Sequence, residues 1–202
     1  MSFPDFFQAV PTLTLRDPLA QMLGAAEGGL MTYSYTDAVK LAGHSCPTVA
    51  GAWLMACRGL QALYGDETPL RGGIRVEFQA AREAGTTGVV ANVLGLVTGA
   101  AGDEGFKGLN GQQARCGLLR FGVELSAEVR LTRLDTGASV LLDYRPQVVP
   151  PDPGLPPMMA RLAGGTAEPA ERAEFARLWR ERVRRILLEQ GNDPALVLVR
   201  PG

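Results

Sequence analysis

The chain has 202 residues, 46% of them hydrophobic and 20% charged, the balance of a folded globular domain and not of a disordered segment. Its 20 basic and 21 acidic side chains leave a net charge of −1, which argues against nucleic acid as the main partner. One histidine and three cysteines exclude a four-cysteine zinc knuckle, a two-cysteine, two-histidine finger, a three-histidine site within one chain and a disulfide framework.

The length predicts a single domain, residues 1–202. Residues 1–30 read as a helical lead-in centred on Pro18 to Ala26 and ended by glycines. No basic region precedes a hydrophobic run there, which predicts no secretory signal. Thr36 to Leu41 is a short helical turn that runs into Gly43-His44-Ser45-Cys46-Pro47. Val49, Trp53, Ala56, Leu60 and Leu63 then recur at three- and four-residue spacing, predicting a helix from Pro47 to Tyr64 that Gly65 stops. Proline favours the first helical position, which places Cys46 at the N-cap.

Gly73 to Phe78 alternates Ile74, Val76 and Phe78 and reads as a strand. Val89 to Thr98, apolar and rich in β-branched residues, reads as a central strand. The surrounding uncharged stretch from Ala84 to Gly102 holds too much Gly, Thr and Asn for a membrane span. A glycine-rich loop follows from Gly99 to Gly111. Gly117 to Leu134 and Ala138 to Tyr144 predict two strands joined at Asp135-Thr136-Gly137. Prolines at 146–157 mark a crossing segment, residues 169–190 an amphipathic C-terminal helix, and Leu196 to Val199 a last strand. The sum is an α+β fold, an antiparallel or mixed sheet packed by helices. Odd, widely spaced cysteines fit a reducing cytoplasm.

The first chemical candidate is His44-x-Cys46-Pro47. A cysteine at a helix N-cap has its thiolate favoured by converging amides and the helix dipole. In an extended lead-in, residues two apart face the same side, so His44 and Cys46 offer either two metal ligands or a thiolate with an adjacent acid/base; a capping cysteine beside a hydrogen-bonded histidine is the inert alternative. The glycine loop carries Asp103, Glu104 and Lys107 and reads as a mobile surface loop unless it folds over His44 and Cys46, where a carboxylate would complete a metal shell. Cys116 is either a third ligand or a small buried side chain. Leu134-Asp135-Thr136-Gly137-Ala138-Ser139 spells the aspartic-protease signature, but Asp-Thr-Gly is also an ordinary hairpin turn, and no second hydrophobic-hydrophobic-Gly element follows in the expected place. Trp53 and Trp179 read as core or dimer anchors.

Gly43-His44-Ser45-Cys46-Pro47, followed by an Ala/Gly-rich helix, resembles the G-H-x-C-P-G signature of the formylmethanofuran dehydrogenase FmdE family. That family's second block, C-x-x-D-a-i-q-x-l-t-G, is similar to Val89 to Gly99, and its Gly-Lys element to Gly105-Phe106-Lys107. The stretch Leu162 to Ala167 and the helix with Phe175, Leu178, Trp179, Val183, Ile186 and Leu187 extend the likeness over most of the chain from about Tyr33 onward. The resemblance implies an α+β core, a homodimer, and a site at His44 and Cys46 for a divalent transition metal, zinc first, or a metal-containing cofactor, with Asn92 and Lys107 as polar groups that orient a small-molecule ligand. Three positions depart from the pattern: Thr48 replaces the motif glycine, Val89 the second-block cysteine and Asn92 its aspartate. No cysteine follows Cys116 in these 202 residues, which predicts a core domain without the family's C-terminal zinc finger. The function expected is metal-ion or metal-cofactor binding in the cytoplasm, without nucleic acid or membrane. The alternative is a thiol enzyme with Cys46 as nucleophile and His44 as base, acting on a small carbonyl or acyl substrate; the third reading is a non-catalytic dimeric scaffold.

Overall fold

The computed structural model describes residues 3–202, so Met1 and Ser2 of the lead-in lie outside the described residues. The fold is α+β, with a five-stranded mixed sheet and a separate two-stranded antiparallel ribbon. In chain order come β1 (Leu13–Arg16), α1 (Pro18–Met22), β2 (Leu30–Tyr33), α2 (Tyr35–Ala42), α3 (Pro47–Tyr64), β3 (Ile74–Phe78) and α4 (Thr87–Thr98). After a long loop follow β4 (Leu119–Arg120), β5 (Val129–Arg133), β6 (Ser139–Tyr144), α5 (Leu155–Ala163), α6 (Pro169–Arg184) and β7 (Val197–Pro201). The main sheet runs β4-β3-β5-β6-β7, parallel between β3 and β4 and antiparallel elsewhere. No described helix is long and apolar enough to cross a membrane.

Helix α3 organises the core. Proline at its start, Cys46 at its N-cap and Gly65 after its end set the bounds expected from the sequence. It is buried nearly all round, because α2, α4 and the sheet pack on different faces. Two glycines on the sheet side let strands come close. A Cβ on Gly59 would meet Leu131 at 2.6 Å and Leu142 at 3.0 Å, and one on Gly51 would meet the Tyr144 ring at 2.3 Å. On the other side Trp53 is fully buried and donates Nε1–H to the Pro11 carbonyl at 3.2 Å, tying the lead-in down. Phe7, Tyr35 and Trp53 continue that contact edge to face.

Four sequence readings change. Val89 to Thr98 is not a strand but most of helix α4, capped by left-handed Gly99 at φ 73°. Its Ala91, Val93, Leu94, Val97 and Thr98 are buried against its neighbours, so the helical polar stripe that would betray the period is missing. Gly117 to Leu134 is two strands, not one, because β4 and β5 flank β3 on opposite sides and the chain must cross between them. Among the described residues the lead-in is α-helical only at Pro18–Met22, with short 3-10 turns at Asp5–Ala9 and Glu27–Gly29, and β1 and β2 form a ribbon around it. The proline-rich crossing segment runs straight into α5, whose first turn takes Pro156 and Pro157, positions where the missing N–H costs nothing. The C-terminal helix ends in a π-helical turn at Arg185–Glu189, next to Gln190.

Candidate functional site

The link between α2 and α3 builds the site. Left-handed Gly43 at φ 75° ends α2, and Cys46 then lies extended, at φ −150° and ψ 169°, ready to cap α3. The Cys46 sulfur accepts the Val49 N–H at 3.4 Å, so the thiol sits at the positive end of an 18-residue helix. His44 is exposed, and its Nδ1 donates to the Ala42 carbonyl at 2.9 Å. Since a carbonyl only accepts, Nδ1 carries the hydrogen, and Nε2 of the neutral ring keeps its lone pair for a metal or a proton. The segment between them is clamped from two elements. Tyr35 and Ser45 share a hydroxyl hydrogen bond of 2.8 Å, and Trp179 of α6 donates Nε1–H to the Ser45 carbonyl at 2.9 Å.

His44 and Cys46 open onto one cleft of about 600 Å³. Thr48 and Met55 of α3, Thr86 and Val90 at the start of α4, and Trp179 contribute to its wall. Three further polar groups line it that the sequence did not single out: Glu128 just before β5, Tyr144 at the end of β6, and Arg182 of α6. Tyr144 donates its hydroxyl to the Pro47 carbonyl at 2.9 Å, and burial pushes that hydroxyl up, so it stays neutral. Glu128 accepts the Tyr144 N–H at 3.2 Å. Although the residue is exposed, desolvation by its neighbours, with the Asp143 charge beside it, raises its carboxyl above the ordinary value despite that hydrogen bond. Burial lowers Arg182, whose guanidinium hydrogen-bonds to two backbone carbonyls.

The other expected site residues lie elsewhere. Asn92 is exposed on α4, which reaches the cleft through Thr86 and Val90 instead. Lys107 is exposed in the glycine loop, and neither it nor Asn92 lines the cleft. The loop does not fold over His44 and Cys46: Asp103 and Glu104 line a separate depression of about 540 Å³ with Arg82 and Arg120. Cys116 is half-buried in that loop, its N–H bonded to the Phe106 carbonyl at 3.1 Å. Cys57 lines a cleft of about 700 Å³ between α3 and the C-terminal π-turn, and burial pushes its thiol up to about 12, which makes it unreactive at neutral pH. Asp135 is a turn residue. Its side chain takes Arg133 Nη2–H at 2.8 Å and the Thr136 N–H at 2.9 Å, and the Arg133 hydrogen bonds hold its carboxyl at about 2, unlike the proton-sharing carboxylate of a protease dyad.

Among the described residues no group of three or more His, Cys, Asp or Glu side chains is placed to hold a metal ion. His44 and Cys46 could offer at most an imidazole and a sulfur donor, of types that suit zinc and its neighbours but make only half of a closed tetrahedral shell. No protein-family model matches the chain, and no curated protein matches it.

Proposed function

We propose that this protein binds a divalent metal ion, zinc first, or a metal-containing cofactor, at Cys46 Sγ and His44 Nε2, with the open positions facing the cleft. The observation that carries the reading is the Nδ1–H bond from His44 to the Ala42 carbonyl, beside a helix-capping thiol that lines the same cleft. A backbone carbonyl on one imidazole nitrogen is the usual device for fixing the other as a ligand. A bound metal would act as a Lewis acid toward a ligand in the cleft. The chain's own residues bind and orient: Trp179 and Tyr35 clamp the Ser45 turn, Tyr144 holds the first turn of α3, and Met55 and Val90 keep one wall apolar. The His44 to Pro47 motif makes membership of the formylmethanofuran dehydrogenase FmdE family part of the same proposal. So is a homodimer, in which a second copy is one source of the missing ligands.

Elemental analysis of the purified protein tests this reading. Stoichiometric metal is expected, falling by about tenfold or more in Cys46→Ser, since even loss of an outer-shell partner weakens metal sites by roughly 10–100-fold. A second reading is favoured by the position of Cys46 at the α3 N-terminus: a thiol enzyme with Cys46 as nucleophile and His44 as base. Metal-free protein whose Cys46 alkylates rapidly well below the ordinary thiol pKa decides for that enzyme. Neither metal nor reactivity leaves the scaffold.

A further inference from the structure

Among the described residues, Arg182 is the one arginine or lysine in the cleft lining, and the fold gives its charge no paired carboxylate. It is half-buried on α6, donating Nε–H to the Val149 carbonyl at 2.9 Å and Nη2–H to the Pro146 carbonyl at 3.3 Å. Two carbonyls fix the plane of the guanidinium without neutralising it. Among the described residues no carboxylate lies within 4.0 Å of it, whereas Arg71, Arg115, Arg130, Arg133 and Arg184 each hold one. A half-buried cation that lines a cleft without a paired carboxylate is placed to take its counter-ion from outside.

We propose that the cleft binds the carboxylate of a small organic anion, with Arg182 as its counter-ion. This rests on the reading of the cleft as the ligand site and names the ligand class; the contact itself needs Arg182 and not the metal. Thr48, in the first turn of α3, brings the positive end of that helix to the same cleft. Met55, Val90, Pro47 and Trp179 give the body of the anion an apolar wall. A monoanion fits better than a phosphate dianion, because Glu128 lines the cleft too and a single unpaired guanidinium must outweigh it.

The test titrates the full chain with benzoate and with benzamide, its neutral isostere, by calorimetry, at a pH well above the carboxylate range. Benzoate is expected to bind about tenfold or more tighter than benzamide, the scale of a hydrogen bond to a charged group. A folded Arg182→Gln variant is expected to lose that preference, and Glu128→Gln to tighten benzoate. Equal binding of the two probes by the unaltered protein, or an undiminished preference in folded Arg182→Gln, overturns the proposal. Arg182 also holds two carbonyls, so circular dichroism checks the variant; should it not fold, Glu128→Gln decides, with unchanged benzoate affinity as the contrary result. Metal content of the same samples separates the two readings. Metal without anion preference defeats the carboxylate proposal alone, and an Arg182-dependent preference without metal defeats the metal reading alone.

Discussion

Asp17→Asn is expected to cost about 3–5 kcal/mol of folding stability, the usual effect of breaking a buried ion pair from one side. Asp17 is 3% exposed and joins three distant segments. Its carboxylate accepts Arg71 Nη1–H at 2.8 Å, Arg115 Nη2–H at 2.6 Å, and the Leu19 and Ala20 N–H groups at the start of α1. Asparagine caps a helix as well as aspartate, so the substitution isolates the charge. Two guanidiniums would then share no anion, in a cluster where Arg115 Nη1 and Arg71 Nε already lack partners. Thermal unfolding should move down by on the order of 10 °C; an unchanged midpoint would show that the cluster is solvated. Burial alone would raise the Asp17 carboxyl, but the hydrogen bonds from Arg71 and Ala20 and the charges of Arg115 and Arg71 outweigh it and hold the carboxyl below its ordinary value. With the folded value depressed, this stability is present above about pH 4 and lost as pH falls through the folded value. The variant should therefore show a flatter acid limb than the unaltered protein.

Gly51→Ala reverses the usual sign of that substitution. In a helix interior alanine is favoured over glycine by about 0.5–1 kcal/mol. Here the new methyl would lie 2.3 to 2.6 Å from three atoms of the Tyr144 ring. Tyr144 cannot swing away without losing its 2.9 Å hydrogen bond to the Pro47 carbonyl and its place in the cleft wall. A net loss of about 2 kcal/mol follows from overpacking and the broken hydrogen bond, less the helical gain. Because Tyr144 holds the first turn of α3, metal binding should weaken with it. Urea unfolding and metal content of the same preparation check both effects, and a stabilised variant would contradict the close packing of α3 on β6.

Local signals carried α3, β3, β6, the turn at Asp135 and the capping role of Cys46 from sequence to structure. In each, period, cap or turn chemistry is complete within one segment. Helix α4 was illegible because its apolar residues are buried on several faces and β-branched, so the strand pattern and the buried-helix pattern coincide; Gly99, a left-handed cap after Thr98, was the available sign. The cleft shows the same division. His44 and Cys46 sit two apart in the chain and announce themselves, whereas Glu128 comes from just before β5, Tyr144 from the end of β6 and Arg182 from a distant helix, with no spacing to connect them. Asn92 and Lys107 were expected at the site only by resemblance, and the chain places both on its exposed surface.

Cobalt titration of metal-free protein tests the central claim most directly, because a thiolate ligand adds an intense sulfur-to-metal charge-transfer band in the near ultraviolet. The band is expected to rise to saturation in the unaltered protein, to release protons as Cys46 deprotonates, and to vanish in Cys46→Ser while the variant keeps its fold. No band at saturating cobalt, or an undiminished band in Cys46→Ser, would contradict a metal held at His44 and Cys46.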